Sequence, residues 1–130
     1  MDYKGGSGDD VIDQKTLGIA DFSNIYGGAG NDTITASTGN LVGEAGNDIL
    51  TGTGMAVGAA YWTSPAGIKV NLATGTAQDG YGTVDKLVGI RSIQDSNFSD
   101  EIIGSAATEE FWLNRGNDTV IGAGGGDKVV

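Results

Sequence analysis

The sequence predicts an all-β repeat protein made of short strands joined by glycine-rich turns. Three observations carry that reading. Nine-residue segments recur along the chain, and Gly supplies 24 of its 130 residues, against about 7% in an average protein. In every strong segment an Asp is followed, two places on, by an aliphatic residue. A flexible Gly/Asp linker has no reason to hold that offset.

The segments align as Gly5-Gly6-Ser7-Gly8-Asp9-Asp10-Val11-Ile12-Asp13, Gly27-Gly28-Ala29-Gly30-Asn31-Asp32-Thr33-Ile34-Thr35 and Gly43-Glu44-Ala45-Gly46-Asn47-Asp48-Ile49-Leu50-Thr51. Two more, Leu113 to Ile121 and Gly122 to Val130, place Asp118 and Asp127 at position six. Glycine tolerates positive φ, so successive carbonyls can turn towards one point. Each repeat then adds a carboxylate. Hard oxygens in a flexible array suit calcium, which takes six to eight of them. Triplets such as Val11-Ile12-Asp13 put one aliphatic side chain inward per strand.

These residues resemble the RTX (repeats-in-toxin) calcium-binding nonapeptide over residues 5–51 and 113–130, with a degenerate stretch at 95–112. The resemblance implies a right-handed parallel β-roll, a β-helix-like solenoid in which two nonapeptides complete one turn. It also implies Ca2+ between turns stacked on one edge, held by the Asp at position six and by main-chain carbonyls. One ion would use Gly6, Gly8 and Asp10 with Gly27, Ala29 and Asp32. A second would use Gly28, Gly30 and Asp32 with Gly43, Ala45 and Asp48. The family further implies a secreted bacterial protein exported by type I secretion.

Register follows from the spacings. Asp100 and Asp118 are 18 residues apart, as are Glu109 and Asp127, so the two pairs should occupy opposite edges. Asp10, Asp32 and Asp48 should stack on one edge, with intervening half-turns lengthened at 14–26 and shortened at 36–42; the opposite edge there is expected to be irregular and free of metal. Asp100, Asp118 and Asp127 are further candidate ligands. Phe98 stands where the turn wants glycine, and a bulky residue at positive φ is costly. Ala107 likewise replaces Gly, and Glu109 replaces Asp. The pattern runs to Val130, as expected of a fragment or of an array that continues in a longer protein.

Residues 52–94 break the nonapeptide pattern. Ile68-Lys69-Val70-Asn71-Leu72 alternates as a half-buried strand, a second strand begins at Val84, and turn residues between them predict an inserted hairpin or two extended turns. The expected organisation is one module over 1–130: N-terminal repeats 5–51, irregular strands 52–94 and C-terminal repeats 95–130. Among the aromatics, Phe111 is expected inside. Trp62, beside Pro65, is a candidate contact for a glycan or a partner protein.

Composition narrows the function. A net charge of −10 repels phosphate backbones and anionic lipid, so neither nucleic acid nor membrane insertion is expected. Without Cys or His there is no disulfide, zinc site, thiol or imidazole chemistry. Enzyme signatures are missing from the sequence, and no catalysis is expected. Val, Ile, Leu and Phe make up about 22% of the chain, little above the range in which charged chains stay disordered. The expectation is a module that folds on extracellular calcium. The rival readings are an adhesive or polysaccharide-binding module and a non-catalytic accessory part of a secreted enzyme, each with neighbouring domains.

Overall fold

The computed structural model describes residues 2–18, 24–55 and 57–130. Short strands alternate between two walls because each turn carries one inward aliphatic residue on either side of a glycine-rich bend. One wall is β1 (Asp2–Lys4), β3 (Asn24–Tyr26), β5 (Asn40–Val42), β7 (Gly58–Ala60), β11 (Ser92–Gln94), β13 (Glu110–Trp112) and β15 (Lys128–Val129), stacked in that order. Every pairing in this wall is parallel. The other wall begins with β2 (Val11–Asp13), β4 (Thr33–Ala36) and β6 (Ile49–Gly52) and ends with β12 (Glu101–Ile103) and β14 (Thr119–Ile121). The result is a parallel β-solenoid of about seven turns.

Register places like residues on like. Ile12 pairs with Ile34 and Ile34 with Leu50 on one wall. Ile25 pairs with Leu41 and Leu41 with Ala59 on the other, followed by Ile93 and Phe111. These side chains meet in one buried cluster, with Phe111 wholly inside it.

The middle departs from a plain hairpin. β8 (Lys69–Asn71), β9 (Thr76–Gln78) and β10 (Val84–Val88) form an antiparallel meander inserted between β6 and β12. β10 stacks parallel on β6 and β8 parallel on β12, so only β9 runs against the wall. The stretch that the turn residues mark as irregular therefore contains a strand, with Ala77 buried between Val70 and Asp85 as cross-strand neighbours. Cross-strand pairing outweighs the local turn signal here.

The long half-turn at 14–26 opens with a single helical turn, α1 (Gln14–Leu17). The Asp13 side chain caps it by accepting the Lys15 N–H at 3.0 Å, and Gly18 closes it at φ 68°. Residues 19–23 of that half-turn lie outside the described residues. Phe98 does not adopt positive φ. Among described non-glycine residues only Glu44 and Ala123 do. Glu44 stands at φ 69°, at the place Gly28 occupies in the preceding turn at φ 90°. That conformation costs a side-chain-bearing residue roughly 1–2 kcal/mol, partly offset by the greater unfolded-state freedom of glycine. Glu44→Gly should stabilise the calcium-loaded fold by about 1 kcal/mol in urea melts. No gain would mean that the strain is relieved elsewhere.

Candidate metal centre

Because Ile12, Ile34, Leu50 and Leu87 are in register, the residues two places before them form a file along one edge: Asp10, Asp32, Asp48 and Asp85. Backbone N–H groups tie the file together. Asp10 donates to Asp32 Oδ1 at 2.8 Å, Asp32 to Asp48 Oδ1 at 2.9 Å, and Asp48 to Asp85 Oδ1 at 3.0 Å. A second file lies one residue earlier: Asn31 donates to Asp9 Oδ1, Asn47 to Asn31 Oδ1, and Val84 to Asn47 Oδ1, all at 2.8–2.9 Å. The predicted stack of Asp10, Asp32 and Asp48 is what the structure shows, and Asp85 lengthens it.

In Asp32 and Asp48 one carboxylate oxygen is thus engaged, while the other is not. Oδ2 of Asp32 and of Asp48 is buried and accepts no hydrogen bond, and both residues are 1% exposed. Glycine at position one makes room for these oxygens. A Cβ on Gly27 would collide with Asp32 Oδ2, and one on Gly43 with Asp48 Oδ2. At Gly5 the place of a Cβ lies 2.6 Å from the Gly27 carbonyl oxygen and 2.7 Å from Asp10 Oδ2. Carbonyl and carboxylate therefore converge on one cradle between adjacent turns. The Gly6 and Gly8 carbonyls press against Gly28 and Gly30 of the next turn, and the Gly30 carbonyl against Gly46. Ala29 sits between Gly28 and Gly30 in that turn. Of the other carbonyls proposed as ligands, that of Ala45 already accepts the Gly30 N–H at 3.0 Å.

Electrostatics makes the same demand. Burial pushes the carboxyl of Asp32 above its ordinary range, and the negative charges of Asp10, Asp9 and Glu44 add to the shift. Burial, then Asp32 and Asp79, pushes Asp48 up to about 6; burial, then Asp48 and Asp79, pushes Asp85 up to about 8. Every charge shifting these acids is another carboxylate. A buried anion with no counter-charge costs several kcal/mol. Paired hard oxygens, glycine-made cradles and orphaned carboxylate oxygens fit an oxygen-seeking divalent cation such as calcium.

The C-terminal repeats share the same edge. Asp100 donates its N–H to Asp118 Oδ1 at 3.0 Å, and on the opposite edge Glu109 donates to Asp127 Oδ1 at 2.9 Å. Between the two stretches the place of the acid is taken by Ile68, whose N–H still donates to Asp100 Oδ1 at 2.8 Å. The acid file is therefore interrupted at the meander. On the opposite edge of the N-terminal repeats the corresponding places hold Gly39 and Val57.

A model of the RTX calcium-binding nonapeptide repeat matches residues 20–40, 40–54 and 95–129, in four copies. Those residues make up more than half of the chain. The chain belongs to the RTX calcium-binding repeat family. No curated protein matches it.

The RTX match leaves out residues 55–94, the stretch that folds as the meander, and the first repeat at 5–13. Both nonetheless join the acid file through Asp10 and Asp85. Asp85 keeps the offset of two from Leu87, a signal visible in the sequence but masked by its non-RTX surroundings. The Tyr61 hydroxyl donates to Asp85 Oδ2 at 3.0 Å, and burial raises that phenol well above its usual range. The degenerate RTX turns use serine in place of glycine. Ser96 Oγ donates to Asp100 Oδ1 at 2.6 Å and accepts the Phe98 N–H at 3.1 Å. Ser105 does the same with Glu109 and Ala107. A side-chain turn of this kind frees Phe98 and Ala107 from positive φ. Trp62 is half-buried, and Trp112 is 40% exposed.

Proposed function

We propose that this RTX chain is a calcium-folded module of a secreted bacterial protein, with no catalysis of its own. The observation that carries the reading is the pair of orphaned, buried oxygens on Asp32 and Asp48 within a file of stacked carboxylates. Asp10, Asp32 and Asp48, with the carbonyls of Gly6, Gly8, Gly27, Ala29, Gly28, Gly30, Gly43 and Ala45, would hold the ions; calcium supplies the positive charge that the file lacks. Where calcium is scarce, repulsion along the file and a thin core favour the expanded chain, which suits passage through a type I secretion channel. Outside the cell, calcium ties adjacent turns together, so metal binding and folding are one event. For a site with a Kd near ~0.1 mM, as in extracellular modules, calcium at 100 times Kd contributes about 2.7 kcal/mol. Two such sites are worth about as much as the whole stability of a small domain. Secretion is typical of proteins carrying RTX repeats. Among the described residues no helix is long and apolar enough to cross a membrane.

The test is far-UV circular dichroism during calcium titration, with magnesium as control. The expected result is a cooperative gain of β-structure with calcium, reversed by EDTA and not reproduced by equal magnesium. A chain already fully β in EDTA and indifferent to calcium would overturn the reading.

A further inference from the structure

The C-terminal part of the acid edge is built differently from residues 5–51. Where Gly5, Gly27 and Gly43 stand at position one, the repeat at 95–103 has Asp95. Asp95 is wholly buried. Its Oδ1 accepts the Asn114 N–H at 2.6 Å, its carbonyl accepts from Asn114 Nδ2 at 2.9 Å, and its N–H donates to the Trp112 carbonyl at 3.2 Å. Its Oδ2 is buried and accepts nothing.

That carboxylate is not alone. Asp95, Asp100 and Asp118 each contribute a carboxylate oxygen to a group whose members all lie within 4.8 Å of one another. Oxygens bound to one calcium at 2.3–2.6 Å can be no more than about 5 Å apart, so the three can share a single ion. The hydrogen bonds already present hold the carboxylates in place without neutralising them. Asp100 takes Ser96 Oγ and the Ile68 N–H, and Asp118 takes the Asp100 N–H. The charges bearing on Asp95 are those of Asp118 and Asp100.

We propose that Asp95, Asp100 and Asp118 form a three-carboxylate calcium site, and that it is the tightest cation site of the chain. The proposal rests on the calcium-module reading and adds a ligand that the nonapeptide pattern does not prescribe. Calcium affinity rises with ligand charge and with rigidity. Here three acids replace the two available per ion at residues 5–51, and Ser96 and Asn114 hold two of them fixed. Magnesium, which keeps its waters and demands a tighter octahedron, fits such a crowded anionic cluster poorly.

Calorimetric titration of the chelator-stripped full chain with calcium alone tests it. Asn at 95 keeps the Oδ1 acceptor for Asn114 while removing the charge. Wild type should show a tight class of sites and a weaker one. Asp95→Asn should weaken the tight class at least about tenfold, leave the weaker class in place, and reach the wild-type β-structure content at saturating calcium. Asp118→Asn, at a partly exposed position, should remove the same class; Asp32→Asn should instead remove weaker binding. Wild-type titration by both Asp95→Asn and Asp118→Asn would overturn the new site while leaving the module reading intact. A variant that binds calcium as tightly as wild type but falls short of its β-structure content at saturating calcium would make Asp95 purely structural and also overturn it. No calcium uptake by the wild type would defeat both readings.

Discussion

Asp32→Ala should shift the calcium midpoint of folding further than any other single substitution within residues 5–51. Asp32 is the shared member of two ion sets, lying between Asp10 and Asp48 in the file. Its loss removes a carboxylate from both. With calcium at 100 times Kd, two lost sites amount to about 5 kcal/mol, enough to unfold a domain of ordinary stability. In EDTA the same substitution forfeits only the acceptor for the Asp10 N–H, worth about 1 kcal/mol, and relieves repulsion from Asp10, Asp9 and Glu44. The effect should therefore be large with calcium and small without it. Asp10→Ala, which touches one ion set, is the comparison. If Asp10→Ala moves the midpoint as far as Asp32→Ala, the shared-ligand arrangement is wrong.

Protons should replace calcium in part. The carboxyls of Asp48, Asp95 and Asp85 are pushed up to about 6, 7 and 8, in each case first by burial and then by neighbouring acids. In the unfolded chain they return to about 3.9. Between those limits the folded state binds more protons than the unfolded state, so stability falls as pH rises. The stabilisation is fully present below about pH 4 for these groups and is lost as pH climbs through 6 to 8. Calcium needs the same groups ionised, so its binding releases protons and strengthens with pH. Far-UV circular dichroism at pH 5 and pH 8 should show opposite orders: in EDTA more β-structure survives at pH 5, whereas calcium adds far more at pH 8. A metal-free protein that gains β-structure from pH 5 to pH 8 would contradict the burial of these acids without a counter-charge.

Much of this was legible because one rule governs both fold and site. An Asp two places before an inward aliphatic residue sets the strand register and the acid file together. That is why Asp10, Asp32 and Asp48, and the 18-residue pair Asp100 and Asp118, could be placed from spacing. Asp85 obeys the same rule but sits in a stretch with no nonapeptide around it. Asp95 was not legible at all, since position one is normally a glycine and an acid there resembles a defect until Asp100 and Asp118 are seen beside it. Phe98 misled for a related reason: the Ser96 hydroxyl supplies the turn that glycine supplies elsewhere.

The sequence by itself determined the repeating unit, because glycine, carboxylate and aliphatic residue each have a local job at a set position. It determined the parallel stacking of like on like, since one inward side chain per strand can be buried only against its equivalent in the next turn. Only the tertiary structure decided how the chain crosses residues 52–94, where β8 joins β12 and β10 returns to β6. Only it brought Asp95 and Asp118 together, and left buried oxygens on Asp32, Asp48 and Asp95 without partners. Pairing across distant strands and the burial of charge depend on which turns become neighbours, and no local pattern of nine residues carries that information.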